Sequence, residues 1–129
     1  MEKHEKRGRT FAFDFAGVIS LYRGGFTSEA ACGDDEPNPE VVGAIRKLHS
    51  AGHKIIIHST LHTDIIRDYC ERHDIPYTYI NENPEFSPGN PGKPVATVYI
   101  DDRAFNYSGQ TTDELVAALE SFQPFYKKT

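Results

Sequence analysis

The sequence predicts an α/β fold: a parallel sheet in three layers, with helices on both faces and no large cap over it. Three observations predict it. Short β-branched or aromatic runs alternate with amphipathic helical segments, the pattern of right-handed strand-helix-strand crossovers. The first run, Thr10-Phe-Ala-Phe-Asp-Phe15, is apolar on both faces, as a strand covered from both sides must be. Polar or acidic residues follow three of the runs directly, and ligands bind at that C-terminal edge in open parallel sheets.

Length and composition set the frame. At 129 residues, 38% hydrophobic and 26% charged, the chain is expected to form one domain over residues 10–129 behind a polar, basic tail at 1–9. No window approaches the roughly 18 apolar residues of a membrane span, and the first ten residues lack the apolar core of a secretory signal. A cytoplasmic, membrane-free location is therefore expected. Cys32 and Cys70 stand far apart and outside any Cys-x-x-Cys pair, which argues against a zinc knuckle or a redox dithiol. A net charge of −5 leaves no broad basic surface, which argues against nucleic acid as a partner while allowing a local phosphate site.

Each element has its own signal. The first strand ends at Asp14, and Ser20 to Pro37, rich in Gly, Ser and acids without a period, is expected to be a flap or loop over the site. Asn38-Pro39 opens a helix, with Asn as cap, Pro in the first turn and Val41, Val42, Ile45 and Leu48 on one face. It stops at Ala51-Gly52. Lys54-Ile-Ile-Ile-His58 is the second strand, and Ser59-Thr60 follows at its end. A second helix is predicted from Thr63, as cap, to His73, with Ile65, Ile66 and Tyr69 on one face. Tyr77 to Ile80 is the third expected strand and Asn81 to Pro94 a long loop. Val95 to Ile100 is the fourth strand, ending in Asp101-Asp102, and Thr112 to Phe122 the last helix.

In chain order the strand ends carry Asp14-Phe-Ala-Gly-Val-Ile19, then Ser59-Thr60, then Lys93 ahead of the fourth strand and Asp101-Asp102 behind it. This series resembles the four motifs of the haloacid-dehalogenase-like superfamily: an Asp-x-Asp-Gly-Thr/Val box, a Ser/Thr, a Lys or Arg, and an acidic pair. Asn81-Glu-Asn-Pro84 and Tyr99-Ile-Asp-Asp-Arg103 are also similar to segments of small phosphatase-like members without a large cap. The resemblance spans Phe11 to about Leu119.

It implies phosphomonoester hydrolysis through an aspartyl phosphate on Asp14. Phosphoryl transfer needs an in-line nucleophile and compensation of charge on the equatorial oxygens. By the resemblance Asp14, the main-chain carbonyl of Ala16, Asp101 and Asp102 hold Mg2+, a hard cation suited to oxygen ligands. Ser59, or Thr60 beside it, donates to a phosphate oxygen. Lys93 neutralises another and separates the carboxylates, while Gly17 lets the chain turn sharply beside the substrate. The partner is then a phosphorylated small molecule or macromolecule. Plainer roles stay open: Asp14 as a turn cap, Ser59 as a local backbone acceptor, Lys93 as a solvated loop cation. Adjacent Asp101 and Asp102 resist such a reading, because neighbouring carboxylates repel unless a cation is near.

One position departs from the motif. The family's second Asp, acid for the leaving group and then base for water, is Ala16 here, and a methyl group performs neither task. Three explanations stand: a slow or specialised hydrolase in which His58, His62, Glu29, Asp34 or Asp35 moves the proton; a protein that keeps the magnesium and phosphate site for binding or regulation; or a phosphonatase-like enzyme, which would need a cap lysine that Ser20 to Pro39 does not contain. Receiver domains share these residue types, but there the acidic pair comes first and the acceptor later. Gly-x-Gly-x-x-Gly and Walker boxes are missing, which disfavours a nucleotide fold of either kind. His49, His53, His58, His62 and His73 are too scattered to read as a zinc site.

Overall fold

The computed structural model describes residues 8–21, 35–86 and 92–124. The expected tail up to residue 7, and residues 22–34 of the expected flap, lie outside them. Four strands form one sheet: β1 (Thr10–Asp14), β2 (Lys54–His58), β3 (Tyr79–Ile80) and β4 (Val98–Ile100). The order is β3-β2-β1-β4 and all three pairings are parallel. Helices α1 (Pro39–Ser50), α2 (Thr63–Arg72) and α3 (Thr112–Ser121) flank it, so the predicted α/β class holds and no large cap is present among the described residues. No helix there is long and apolar enough to cross a membrane.

The register sorts the strand residues onto two unlike faces. Phe11, Phe13, Ile55, Ile57, Ile80 and Ile100 share one face. Val42 and Ile45 of α1, with Ile66, Tyr69 and Cys70 of α2, close over it to form the core. Asn38 caps α1 as expected, its side chain accepting from Glu40 N at 3.1 Å, with Pro39 in the first turn. Burial pushes the Cys70 thiol up to about 12, leaving it protonated and unreactive.

The opposite face holds Thr10, Ala12, Asp14, Lys54, Ile56, His58, Tyr79 and Tyr99. The contacts that close it come from the β3–β4 connection. Glu85 pairs with Lys54 and accepts from the Tyr79 hydroxyl at 2.6 Å. Tyr99 donates to the Pro94 carbonyl at 2.6 Å, and buried Asn83 donates to the Val95 carbonyl at 2.9 Å. Beneath this polar cover Ala12 and Ile56 are fully buried.

Several boundaries differ from expectation. His62, not Thr63, caps α2, its Nδ1 accepting from Asp64 N at 3.1 Å. β3 and β4 are shorter than Tyr77–Ile80 and Val95–Ile100. At each start a threonine hydroxyl takes the N–H that a ladder carbonyl would accept: Ile55 N donates to Thr78 Oγ1 at 3.0 Å and Thr10 N to Thr97 Oγ1 at 3.1 Å. The last helix ends one residue early, at Ser121. Its capping box is complete, Glu114 N to Thr111 Oγ1 at 3.3 Å and Thr111 N to Glu114 Oε1 at 2.9 Å, but none of its residues is buried.

Candidate metal and phosphate site

β1 and β4 are neighbours, so their C-terminal ends bring Asp14 beside Asp101 and Asp102. A carboxylate oxygen from each of the three lies within 4.8 Å of the others. Asp102 is 9% exposed; among the described residues no N–H or hydroxyl of another side chain reaches its oxygens, and its side-chain partner is the Asp14 carboxyl, which donates only while protonated. Asp101 is held by its own turn, Oδ1 accepting from Arg103 N at 2.8 Å.

The turn after β1 is tight. Phe15 O accepts from Val18 N, Ile19 N and Ser20 N at 3.3, 2.9 and 3.0 Å, and Gly17 N donates to Ser20 O at 3.1 Å. Gly17 has φ +89°, and a Cβ there would stand 2.9 Å from Asp102 Cγ and closer still to Oδ2. Both the backbone and the space demand glycine. Its missing side chain is what lets the first turn approach the fourth-strand carboxylate. The Ala16 methyl packs against the apolar cluster.

The electrostatics follow from this crowding. Burial, then the charges of Asp101 and Asp102, push Asp14 up from 3.8 to about 8. Asp102 is raised too, chiefly by burial. Three carboxylates this close and this short of donors fit a hard divalent cation, which would supply the missing charge. Such an ion would lie between Asp14, Asp101 and Asp102.

The other expected site residues are placed as follows. β2 lies beside β1, with Asp14 paired to His58 and Phe15 N donating to His58 O at 3.2 Å, so Ser59 begins just past the strand end that carries Asp14. Ser59 Oγ accepts from Leu61 N at 3.1 Å, and Thr60 is exposed. Lys93 sets its Nζ 4.6 Å from the centre of the Tyr99 ring. Its charge bears on His58, together with that of Asp101. The imidazole lies on the same sheet face as Asp14, and its Nε2 is buried without a partner. Burial draws His58 below its ordinary 6.5. Of the other proton carriers considered, His62 is spent on its cap, Asp35 stands at the flap stem, and Glu29 and Asp34 lie outside the described residues.

Asn81 is the residue whose role here no motif announced. At φ +60° its Oδ1 accepts from Ser59 N at 2.8 Å and its Nδ2 donates to Thr63 Oγ1 at 3.3 Å. It thereby ties the loop after β2 to β3 and to the start of α2. The Asn81-Glu-Asn-Pro84 segment was the available signal, without showing which backbone group its first Asn would hold. The two stretches that flank residues 22–34 are joined by backbone hydrogen bonds, Leu21 N to Glu36 O at 2.8 Å and Asn38 N to Ile19 O at 2.7 Å.

No protein-family model and no curated protein matches the chain. Among solved structures it is similar to a conserved protein of Bacteroides thetaiotaomicron, at 23% identity and TM-score 0.59, covering 88% of this chain and 90% of that one. It is also similar to a chain in the structure of the Pnkp1/Rnl/Hen1 complex, at 17% identity and TM-score 0.50, covering 91% of this chain and 36% of that one. The fold is shared with both.

Proposed function

We propose that the chain is a magnesium-dependent phosphohydrolase of the haloacid-dehalogenase-like kind, acting on a phosphomonoester through an aspartyl phosphate on Asp14. One observation carries the reading. Asp102 is nine-tenths buried, its side-chain partner is the carboxyl of Asp14, which donates only while it holds a proton, and it faces Asp14 and Asp101 at a sheet edge where ligands bind. A bound Mg2+ would offset the carboxylate charges and draw electron density from the phosphate. The chain's own groups do the rest. Asp14 attacks phosphorus, Ser59 and Thr60 offer hydroxyls from the end of β2, and Lys93 approaches from the β3–β4 connection. The substrate is a phosphorylated small molecule or macromolecule.

Ala16 sets the rate. With a methyl at the acid/base position, turnover is slow or specialised. The packing of that methyl against apolar side chains also favours a second reading, a site kept for binding or regulation.

Hydrolysis of an aryl phosphate, with and without Mg2+, tests the proposal. Turnover in the chain as it stands is expected to be slow, magnesium-dependent and lost in Asp14→Asn. Ala16→Asp is expected to raise it by roughly 10²- to 10⁴-fold, the usual contribution of a positioned acid/base. Activity that survives Asp14→Asn removes Asp14 as nucleophile. Magnesium binding without turnover selects the second reading.

A further inference from the structure

Phosphoryl transfer through a carboxylate moves protons twice. A simple alkoxide leaving group is strongly basic and must be protonated as it departs; the water that later attacks the acyl phosphate must lose a proton. A leaving group that is already a stable anion needs no proton, as with a carboxylate, whose conjugate acid has a pKa near about 4. What the described residues of the site lack is therefore specific to one class of donor and to one half of the reaction.

We infer that this chain takes its phosphoryl group from donors with an acidic leaving group, acyl phosphates above all, and keeps it on Asp14 as a long-lived acyl phosphate. The inference rests on the reading of Asp14 as nucleophile. In the step, the bond between an Asp14 carboxylate oxygen and phosphorus forms while the donor's P–O bond breaks. The electron pair leaves on the donor's carboxylate oxygen and no proton moves. Hydrolysis would then need a base beside the turn.

The groups placed there are otherwise occupied. Ala16 offers a methyl packed into the apolar cluster. Asp101 accepts from Arg103 N, and Asp102 is shut beneath the first turn, where Gly17 leaves no room for a side chain. Ser59 Oγ accepts from Leu61 N, and Lys93 sits over Tyr99. Among the described residues His58 is the one rival, and its Nε2 is enclosed.

The test incubates the full chain and Mg2+ with acetyl phosphate, and separately with an alkyl phosphate. Intact mass reports the gain of one phosphoryl group, and trapping with hydroxylamine followed by peptide mapping reports an acyl phosphate at Asp14. Most of the chain is expected to become phosphorylated by acetyl phosphate, none by the alkyl phosphate, and none in Asp14→Asn. Ala16→Asp is expected to release inorganic phosphate from both donors on the order of 10²- to 10⁴-fold faster and to carry little phosphoryl group. Equal release of phosphate from both donors by the unaltered chain, with no phosphorylated form, overturns the inference and leaves Asp14 as nucleophile. A phosphorylated form seen only in His58→Gln overturns it as well and makes His58 the base. Failure of the unaltered chain and of a folded Ala16→Asp to react with acetyl phosphate overturns the reading of Asp14 itself.

Discussion

The two faces of the sheet are closed by different physics. On the helix face, Phe13, Ile55 and Ile57 meet the apolar stripes of α1 and α2, and burial there is continuous. On the other, the β3–β4 connection covers Tyr79, Tyr99 and Lys54 through hydrogen bonds, an ion pair and a cation-π contact. Hydrophobic burial scales with area and is indifferent to detail, whereas polar closure depends on a few directed bonds. The site belongs to the second face: Asp14, His58 and Tyr99 all point that way. Stability is thus concentrated on one side of the sheet and chemistry on the other.

Substitutions on each side sharpen the contrast. The largest effect is expected from Ile57→Ala, which empties a fully buried position against the helices and should cost about 2–5 kcal/mol in denaturant unfolding. Asn83→Ala, in the polar cover, removes one hydrogen bond from the Val95 carbonyl and one from Glu85 N and is expected to cost about 1–3 kcal/mol. A cost for Asn83→Ala equal to that of Ile57→Ala would break the division.

The third expectation concerns pH. Asp14 is raised from 3.8 to about 8, so in the cation-free chain the folded state holds a proton that the unfolded state has lost between those values. Stability should therefore fall as pH rises from about 4 to about 8 and level off above. Mg2+ relieves the repulsion, so its stabilisation should be larger at pH 8 than at pH 5, read as a shift in melting temperature. An equal shift at both pH values would separate Asp14 from the cation. The smallest effect is expected from Glu85→Gln, whose exposed pairing with Lys54 should leave the unfolding midpoint nearly unchanged.

The same division explains what the sequence disclosed. Lys54-Ile-Ile-Ile-His58 and the Val41, Val42, Ile45, Leu48 stripe announce the helix face, because periodicity is a local property of the chain. The acidic strand ends were legible for a similar reason: an Asp pair following an apolar run marks its own place on the sheet edge. The polar face was not. Asn81 holding Ser59 N, Asn83 holding the Val95 carbonyl, and Thr78 and Thr97 shortening β3 and β4 are all partnerships between distant residues. Any Asn or Thr in a loop looks alike until its partner is known. His62 in place of Thr63 as the α2 cap is a near tie between adjacent polar residues, decided by the imidazole accepting from Asp64 N.

The close approach at Gly17 has a further bearing on how the chain can change. It is the point where two distant stretches of backbone and side chain meet without a methyl's width between them. Any larger residue would have to displace Asp102 or the turn that follows Asp14, so the carboxylates of the candidate site would lose their geometry together. On the proposed reading, position 16 next door bears only on proton transfer. A change at residue 16 can therefore leave the three carboxylates where they are, whereas any side chain at residue 17 has to move them.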